Sequence, residues 1–267
     1  MGESGLEVLE RRLPQLIRDY SADFVIVNGE NAAEGFGLTA PLLERIFASG
    51  ADVVSSGNHI WEKREFWPVL DSQKRLLRPL NYNTECPGIG WTLLEKPSPW
   101  GGQPVNWLAV NLQGREHMTP IDCPFRSFDL LEAELKSKHS TKNPVILVDF
   151  HAESSREKEA LAYYLDGRVS VIAGTHTHVQ TADERILPRG TAYITDLGMT
   201  GPLDGVIGMK PSICLERART QVLHRMEVAA PAEADGINAD CRTAVQGIIA
   251  EIDAENLKAL SVKRLSV

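Results

Sequence analysis

Two histidines, His176 and His178, have the clearest chemical potential in this sequence, because they lie two positions apart at the end of an apolar run. The run covers residues 169–173 and predicts a buried strand, which ends at Gly174. A spacing of two residues can direct both imidazoles into one cavity. Imidazole is the most common metal ligand, although single histidines are more often structural. The pair therefore indicates a metal site that needs further ligands.

Three earlier apolar runs end in the same way, with polar residues directly after a predicted strand. The first run leads into Glu30, and the second leads into Asn58 and His59. The third run leads into His151. In open α/β sheets, ligands bind at the carboxyl ends of the strands, so these residues are expected to converge although they are distant in sequence. We predict that they hold two metal ions.

The residue types indicate which metals would bind and what they would do. Glu30 can bridge two cations with its two oxygens, and Asn58 can offer an amide oxygen. A mixed nitrogen and oxygen site without thiolates suits Fe, Mn or Zn better than Cu(I) or an iron–sulfur cluster. Two cations about 3.5–4 Å apart can clamp a phosphoryl oxygen and lower the pKa of a shared water to about 7. The predicted chemistry is attack of hydroxide on phosphorus.

His59 has a separate predicted role, because its neighbour Asn58 brings it to the rim of the same site. Attack on phosphorus drives charge onto the departing oxygen, and a group that protonates this oxygen accelerates the reaction by about 10²- to 10⁴-fold. We therefore predict that His59 donates this proton. The alternatives are that His59 is itself a metal ligand or is only structural.

The composition is that of a globular protein, with 267 residues of which 43% are apolar and 24% are charged, and we expect a single domain over residues 1–267. The formal net charge of -8 argues against a general nucleic-acid-binding surface and fits a small phosphodiester substrate. No apolar run is long enough to span a membrane. We expect a cytoplasmic protein and leave open whether it forms a homo-oligomer. Its four cysteines are expected to be reduced and to bind no metal: Cys86, Cys123, Cys214 and Cys241.

Helices and strands alternate along the first two thirds of the chain. Helices are predicted over residues 6–20, 39–49, 62–70, 125–137 and 154–165, although Pro14 counts against a regular first helix. Strands are predicted over 23–28, 52–56, 76–80, 90–94, 105–112, 144–150, 169–173 and 191–195. The strand–helix–strand unit at 144–173 favours parallel pairing. Segments 223–228, 243–252 and 257–262 are predicted to be antiparallel strands, so a second sheet layer is expected in an α/β fold.

Five blocks of sequence together resemble the calcineurin-like metallophosphoesterases. They are Asn-Gly-Glu-Asn-Ala-Ala at 28–33, Gly-Asn-His at 57–59, Asp-Phe-His-Ala-Glu at 149–153, Gly-Thr-His-Thr-His-Val-Gln-Thr-Ala-Asp at 174–183 and Thr-Asp-Leu-Gly-Met-Thr-Gly-Pro at 195–202. More narrowly, they are similar to the bacterial 2′,3′-cyclic-nucleotide 2′-phosphodiesterases, over nearly the whole chain. The resemblance implies a metallophosphoesterase-type β-sandwich of two mixed sheets flanked by helices, which hydrolyses small cyclic nucleotides such as 2′,3′-cyclic AMP.

The resemblance also implies a role for each residue that matches a family motif. Glu30 would bridge the two metals, and His59 would protonate the leaving group. The remaining ligands would divide between the metals, with Asn31 and His178 on the first and Asn58, His151 and His176 on the second. The implied metal is iron, with manganese able to replace it in relatives.

One departure from the family pattern concerns the first metal. The family normally begins with a strand ending in Gly-Asp, whose aspartate binds this metal, whereas here Met-Gly-Glu-Ser-Gly at 1–5 aligns with the turn that follows that strand. We expect the strand and its aspartate to lie upstream of residue 1; alternatively, the chain begins here and binds the first metal weakly. The rival functions are a phosphomonoesterase, an enzyme for another phosphodiester, and a non-catalytic regulator that binds a nucleotide or a partner protein.

Overall fold

A six-stranded mixed sheet forms the centre of the fold in the computed structural model, which describes residues 1–98, 103–138, 143–229 and 242–267. Its strands are β3 Trp91–Lys96, β4 Val105–Gln113, β5 Val145–His151, β6 Val171–Thr175, β7 Arg185–Ile186 and β8 Ala192–Ile194. They lie in the order β3, β4, β5, β6, β8, β7. The four strands β4, β5, β6 and β8 are parallel, and β3 and β7 are antiparallel to their neighbours.

The register of the parallel strands aligns their carboxyl ends. Gln113 at the end of β4 pairs with His151 at the end of β5, and His151 pairs with Thr175 at the end of β6. The strand predicted at 169–173 therefore ends two residues later than expected. Residues that follow these three strands meet at one edge of the sheet, and for β5 and β6 this is the convergence that the sequence predicted.

A second sheet layer lies against the first. Strands β1 (Ile26–Asn28) and β2 (Val53–Ser55) are parallel, and Val53 packs with Leu77 and Ala109 in one buried cluster between the layers. The predicted strand at 76–80 is present as single bridging pairs at Leu76 and Leu77. Asn28 pairs with Ser55, so β1 and β2 also end side by side.

The later part of the chain adds an antiparallel hairpin of β11 (Gln246–Ile252) and β12 (Ala259–Ser266). The hairpin lies on the face of the central sheet that β1 and β2 also cover, where Ala259 packs on Val171 and Ala192. The short strands β9 (Gly201–Pro202) and β10 (Thr243–Ala244) also pair, so the segment predicted as one strand over 243–252 is divided. The strand predicted at 257–262 starts later because Leu257 has a left-handed φ of 61°.

The predicted strand at 223–228 is wrong. Within the described residues of this segment, Val228 forms a single bridge to Met209, and the side chain of Leu223 is 81% exposed. Its apolar residues therefore have no sheet to pack against, and apolar character alone does not make a strand.

Helices cover both outer faces of the two layers. They are α1 Gly2–Tyr20, α2 Ala40–Ala48, α3 Trp67–Ser72, α4 Pro124–Lys138 and α5 Ser155–Leu165. Helix α6 Pro211–Thr220 contributes no buried residue to either layer, and a 3-10 turn covers Arg64–Phe66. Helices α1, α2 and α3 pack on β2, and α4 and α5 pack on the central sheet. Helix α1 runs through Pro14, because its buried stripe of Leu6, Leu9 and Leu13 outweighs the lost hydrogen bond.

The layers of helices, sheet, sheet and helices confirm the predicted α/β class. The central sheet is mixed, as predicted, whereas the described β1–β2 layer is parallel. None of the helices in the described part of the chain is long and apolar enough to cross a lipid bilayer. Of the four cysteines, Cys241 lies outside the described residues.

Candidate metal centre

The carboxyl end of β5 places His151 at the centre of the site, where 1% of its side chain is exposed. Three donor atoms surround its Nε2: His176 Nδ1 at 3.0 Å, and Asn58 Oδ1 and Glu30 Oε1 at 3.1 Å each. The ligand atoms of Glu30, His151 and His176 all lie within 4.8 Å of one another. A hydrogen on His151 Nε2 could satisfy only one of these three contacts. A cation bound by the lone pairs of all four atoms would account for every contact.

Buried partners fix which nitrogen of His151 faces the cluster. Thr175 Oγ1 lies 3.0 Å from His151 Nδ1 and donates its hydrogen to Asp149 Oδ1 at 2.7 Å. Asp149 Oδ2 also accepts hydrogen bonds from Ser55 Oγ and Asn28 Nδ2. Because a hydroxyl has one hydrogen, Thr175 accepts the Nδ1–H of His151 and leaves Nε2 free to bind a metal.

Asn31 and His178 form a second group beside the first. Asn31 Nδ2 lies 3.0 Å from His178 Nε2 and 3.5 Å from Glu30 Oε1, so the Glu30 carboxylate contacts both groups. Asn31 Oδ1 is buried and has no hydrogen-bond partner within the described residues. An unpaired buried acceptor costs about 1–3 kcal/mol, which a bound cation would offset. The donor atoms present therefore fit the predicted metals.

The outer ring nitrogens of His176 and His178 also have partners. Glu153 Oε2 lies 3.1 Å from His176 Nε2, and the backbone oxygen of Ile207 lies 3.1 Å from His178 Nδ1. Such partners fix the tautomer and the orientation of a metal-binding imidazole. They direct Nδ1 of His176 towards His151 and Nε2 of His178 towards Asn31.

Left-handed backbone, and not strand alternation, positions these two histidines. Strand β6 ends at Thr175, and His176 and His178 have φ values of 107° and 64°. Residues other than glycine seldom adopt this region, and where they do the strain often serves a site. Asp196 supports the turn by accepting a hydrogen bond from Thr177 N at 3.0 Å. Both imidazoles therefore line one cavity, with His176 beside His151 and His178 beside Asn31.

The Asp196 carboxylate is paired with Lys158, a residue that the sequence reasoning did not identify. Lys158 Nζ donates to Asp196 Oδ2 at 2.8 Å, and the two side chains are 1% and 0% exposed. The substitution Lys158→Met keeps the length of the side chain but leaves the carboxylate buried without its cation. We expect the free energy of unfolding, measured by urea denaturation, to fall by about 3–5 kcal/mol.

The matched control for this stability prediction is Lys136→Met, because the side chain of Lys136 is 72% exposed and its ion pair with Glu132 lies on the surface. A change within about 0.5 kcal/mol is expected for the control. A loss below about 1 kcal/mol for Lys158→Met would contradict the prediction and would show that backbone hydrogen bonds alone hold Asp196.

The turn that carries Asn58 and His59 lies directly against the cluster. Gly57 has no side chain, and a Cβ at this position would overlap His151 Nε2 and Glu30 Oε2. The backbone N–H of His59 donates to Glu30 Oε2 at 3.2 Å. A glycine is therefore required for the close approach that brings Asn58 to His151.

The His59 ring lies at the rim and is 26% exposed. Its Nδ1 lies 3.1 Å from Glu62 Oε1, and the ring packs edge-on against Phe36 with 5.1 Å between centroids. In the described part of the chain, the atoms that converge on His151 Nε2 belong to Glu30, Asn58 and His176, and none belongs to the His59 ring. This position suits the predicted proton donor better than the alternative of a metal ligand, and the role stays a prediction.

Burial acts on the titration of the cluster in two directions. It raises the pKa of Glu30 to about 8, opposed in part by the hydrogen bond from His59 N. It lowers the pKa values of His151, His176 and His178 below the usual range of histidine. Both effects have one cause, because burial penalises the charged form of each group. At neutral pH the metal-free site therefore holds a protonated carboxyl and three neutral imidazoles.

Metal binding at pH 7 is expected to release about one proton more from the wild-type protein than from a Glu30→Gln variant, because Glu30 is protonated in the metal-free site and the imidazoles are already neutral. Calorimetry in buffers of different ionisation enthalpy measures this release. Metal-free protein should also lose stability as the pH rises from about 4.5 to about 8, because in this window the unfolded chain ionises Glu30 while the folded protein keeps it protonated. Proton release of the same size from a Glu30→Gln variant would contradict this assignment.

Comparison with known proteins identifies the family of the chain. It is 40% identical over 267 residues to the 2′,3′-cyclic-nucleotide 2′-phosphodiesterase of Bacillus subtilis, covering 100% of this chain and 94% of that protein. A crystal structure of a hypothetical protein from Thermus thermophilus superposes with a TM-score of 0.83 at 36% identity, covering 100% of this chain and 95% of the other. The structure of a novel phosphatase from Mycoplasma pneumoniae gives a TM-score of 0.86 at 32% identity, with 100% and 89% covered.

The sequence profile of the YmdB-like proteins matches residues 1–265, nearly the full length of the chain. The chain therefore belongs to the YmdB-like protein family.

Proposed function

We propose that this chain is a binuclear metal-dependent phosphodiesterase that hydrolyses small cyclic nucleotides such as 2′,3′-cyclic AMP. The observation that carries the proposal is the convergence of donor atoms from Glu30, Asn58 and His176 on His151 Nε2. The identity of 40% to a protein named for this reaction supports the proposed substrate class. The donor set of carboxylate, amide and imidazole suits Fe, Mn or Zn, and among these the family resemblance favours Fe.

Glu30 is the proposed bridge between the two metals, because its Oε1 contacts both groups of ligands. Asn31 and His178 would complete the first metal position, and Asn58, His151 and His176 would complete the second. When bound, the metals supply positive charge that holds the phosphoryl oxygens and lowers the pKa of the attacking water.

The chain itself moves one proton in the proposed reaction. The water oxygen bonds to phosphorus while the bond from phosphorus to the 2′-oxygen breaks, and a proton of the water leaves to the solvent. His59, at the rim beside Asn58, donates a proton to the departing 2′-oxygen, and the solvent later restores that proton. The product is the nucleoside 3′-phosphate.

The test uses full-length protein from which metal has been removed and which is then loaded with Fe(II) or Mn(II). Liquid chromatography should show conversion of 2′,3′-cyclic AMP to 3′-AMP, with two metals bound per chain. Protein that binds two metals and leaves 2′,3′-cyclic AMP and bis-p-nitrophenyl phosphate unchanged would overturn the proposal.

A phosphomonoesterase is the second candidate, because the Mycoplasma pneumoniae structure is named a phosphatase. The same metal centre can hold a monoester, so the substrate series must separate the two functions. Faster turnover of p-nitrophenyl phosphate than of its bis ester and of 2′,3′-cyclic AMP would favour the phosphomonoesterase.

An apolar groove of about 770 Å³ leads to the first metal position between β1 and β11, with Val27, Leu147 and Ile249 among its lining residues. Within the described residues, β1 pairs with β2 and β11 pairs with β12. Asn31 and His178 also line the groove, so the first metal position opens onto it.

A further inference from the structure

We infer that Glu62 is the residue that positions His59 for proton transfer, an inference that depends on the proposed function. Glu62 Oε1 lies 3.1 Å from His59 Nδ1. The backbone N–H of Glu62 donates to the His59 oxygen at 3.2 Å, so a turn brings the two side chains to the same side. The Glu62 side chain is 49% exposed, as expected for a partner at the rim of a site that substrate must reach.

A second loop holds this pair from the other side. Phe36 packs edge-on against the His59 ring, with centroids 5.1 Å apart and planes at 83°. Gly37 has a φ of 83°, and a Cβ on it would lie 3.1 Å from Glu62 Cβ and 3.3 Å from the His59 oxygen. The loop can approach this closely because Gly37 has no side chain. The His59 ring is thus restricted at its edge by Phe36 and at Nδ1 by Glu62.

The hydrogen bond to Glu62 decides which ring nitrogen exchanges a proton with substrate. A carboxylate is only an acceptor, so His59 Nδ1 carries a hydrogen and donates it to Glu62. Nε2 is then the nitrogen that gives its proton to the departing oxygen. By accepting this hydrogen bond, the Glu62 carboxylate keeps the ring in one orientation and one tautomer, as the aspartate does for histidine in a serine protease triad.

The test compares two leaving groups that differ in their need for a proton. Opening 2′,3′-cyclic AMP expels an alkoxide, which must be protonated, whereas bis-p-nitrophenyl phosphate expels p-nitrophenolate, which is stable without a proton. In metal-loaded Glu62→Gln protein, kcat should fall about tenfold on 2′,3′-cyclic AMP and less than about twofold on the nitrophenyl ester. The control Glu65→Gln removes an exposed glutamate three residues away and should change neither rate.

A double-mutant cycle shows whether Glu62 acts through His59. In a His59→Ala background, Glu62→Gln should cause no further loss on 2′,3′-cyclic AMP, because the group that it positions is gone. In the wild-type background, Glu62→Asp keeps the charge and should be more active on 2′,3′-cyclic AMP than Glu62→Gln. This comparison still tests the inference if Glu62→Gln proves less stable than the wild-type protein.

Equal losses on the two substrates, or losses that add in the cycle, would overturn the inference. So would a Glu62→Gln variant with normal activity on 2′,3′-cyclic AMP. Failure of the proposed function gives a different result, because metal-loaded wild-type protein would then turn over neither substrate.

Discussion

Replacing Glu30 by glutamine is expected to lower kcat by about 10³-fold or more on both 2′,3′-cyclic AMP and bis-p-nitrophenyl phosphate. Glu30 Oε1 lies 3.1 Å from His151 Nε2 and 3.5 Å from Asn31 Nδ2, so its carboxylate is the shared contact of the two ligand groups. Glutamine keeps the shape but removes the negative charge that would bridge two cations. Each loss of about 1.36 kcal/mol of transition-state stabilisation lowers the rate tenfold. A loss of several kcal/mol of charge stabilisation therefore gives this factor.

Metal analysis and thermal melting separate loss of the site from loss of the fold. The Glu30→Gln variant should bind fewer than two metals per chain. At pH 9 and without metal, it should melt at a higher temperature than the wild-type protein, because burial raises the Glu30 pKa to about 8 and the ionised carboxylate is costly above that pH.

The control Glu34→Gln removes a carboxylate that is 78% exposed and should leave both metal binding and activity unchanged. Full activity of Glu30→Gln with two metals bound would contradict the role proposed for this residue. A lower melting temperature in metal-free protein at pH 9 would contradict the explanation from burial.

The sequence predicted the edge of the sheet at which the site lies, because parallel strands leave a local signal. Each of the runs before Glu30, Asn58 and His151 is apolar and ends abruptly at a polar residue. Parallel pairing then brings the strand ends together within each sheet, as the register of Asn28 with Ser55 and of His151 with Thr175 shows. The packing of one sheet on the other brings Glu30 and Asn58 to His151.

The sequence could not predict how the histidine pair is held. A spacing of two residues suggests strand alternation, but His176 and His178 lie beyond β6 in left-handed backbone. The turn is supported by Asp196, which in turn is paired with Lys158 from a helix 38 residues earlier. Nothing local marks a lysine as buried, since most lysines are exposed and burial depends on a distant partner.

Replacing His59 by alanine is expected to lower kcat for 2′,3′-cyclic AMP by about 10²- to 10⁴-fold, the usual value of a positioned general acid. The His59 ring is 26% exposed at the rim, and its Nδ1 is held by Glu62, which leaves Nε2 to donate a proton. Metal content should stay at that of the wild-type protein, because the donor atoms around His151 come from Glu30, Asn58 and His176.

Comparing substrates with different leaving groups shows whether His59 is a proton donor or a metal ligand. If His59 only protonates the departing oxygen, bis-p-nitrophenyl phosphate should lose far less activity than 2′,3′-cyclic AMP, since p-nitrophenolate needs no proton. If His59 binds metal, both substrates should fall together and metal content should drop with them. His117→Ala is the matched control, because His117 is an exposed histidine in a loop outside the predicted ligand set and its loss should change neither measurement. A parallel fall on both substrates would therefore assign His59 to the metal centre itself, and the inferred role of Glu62 would fail with it.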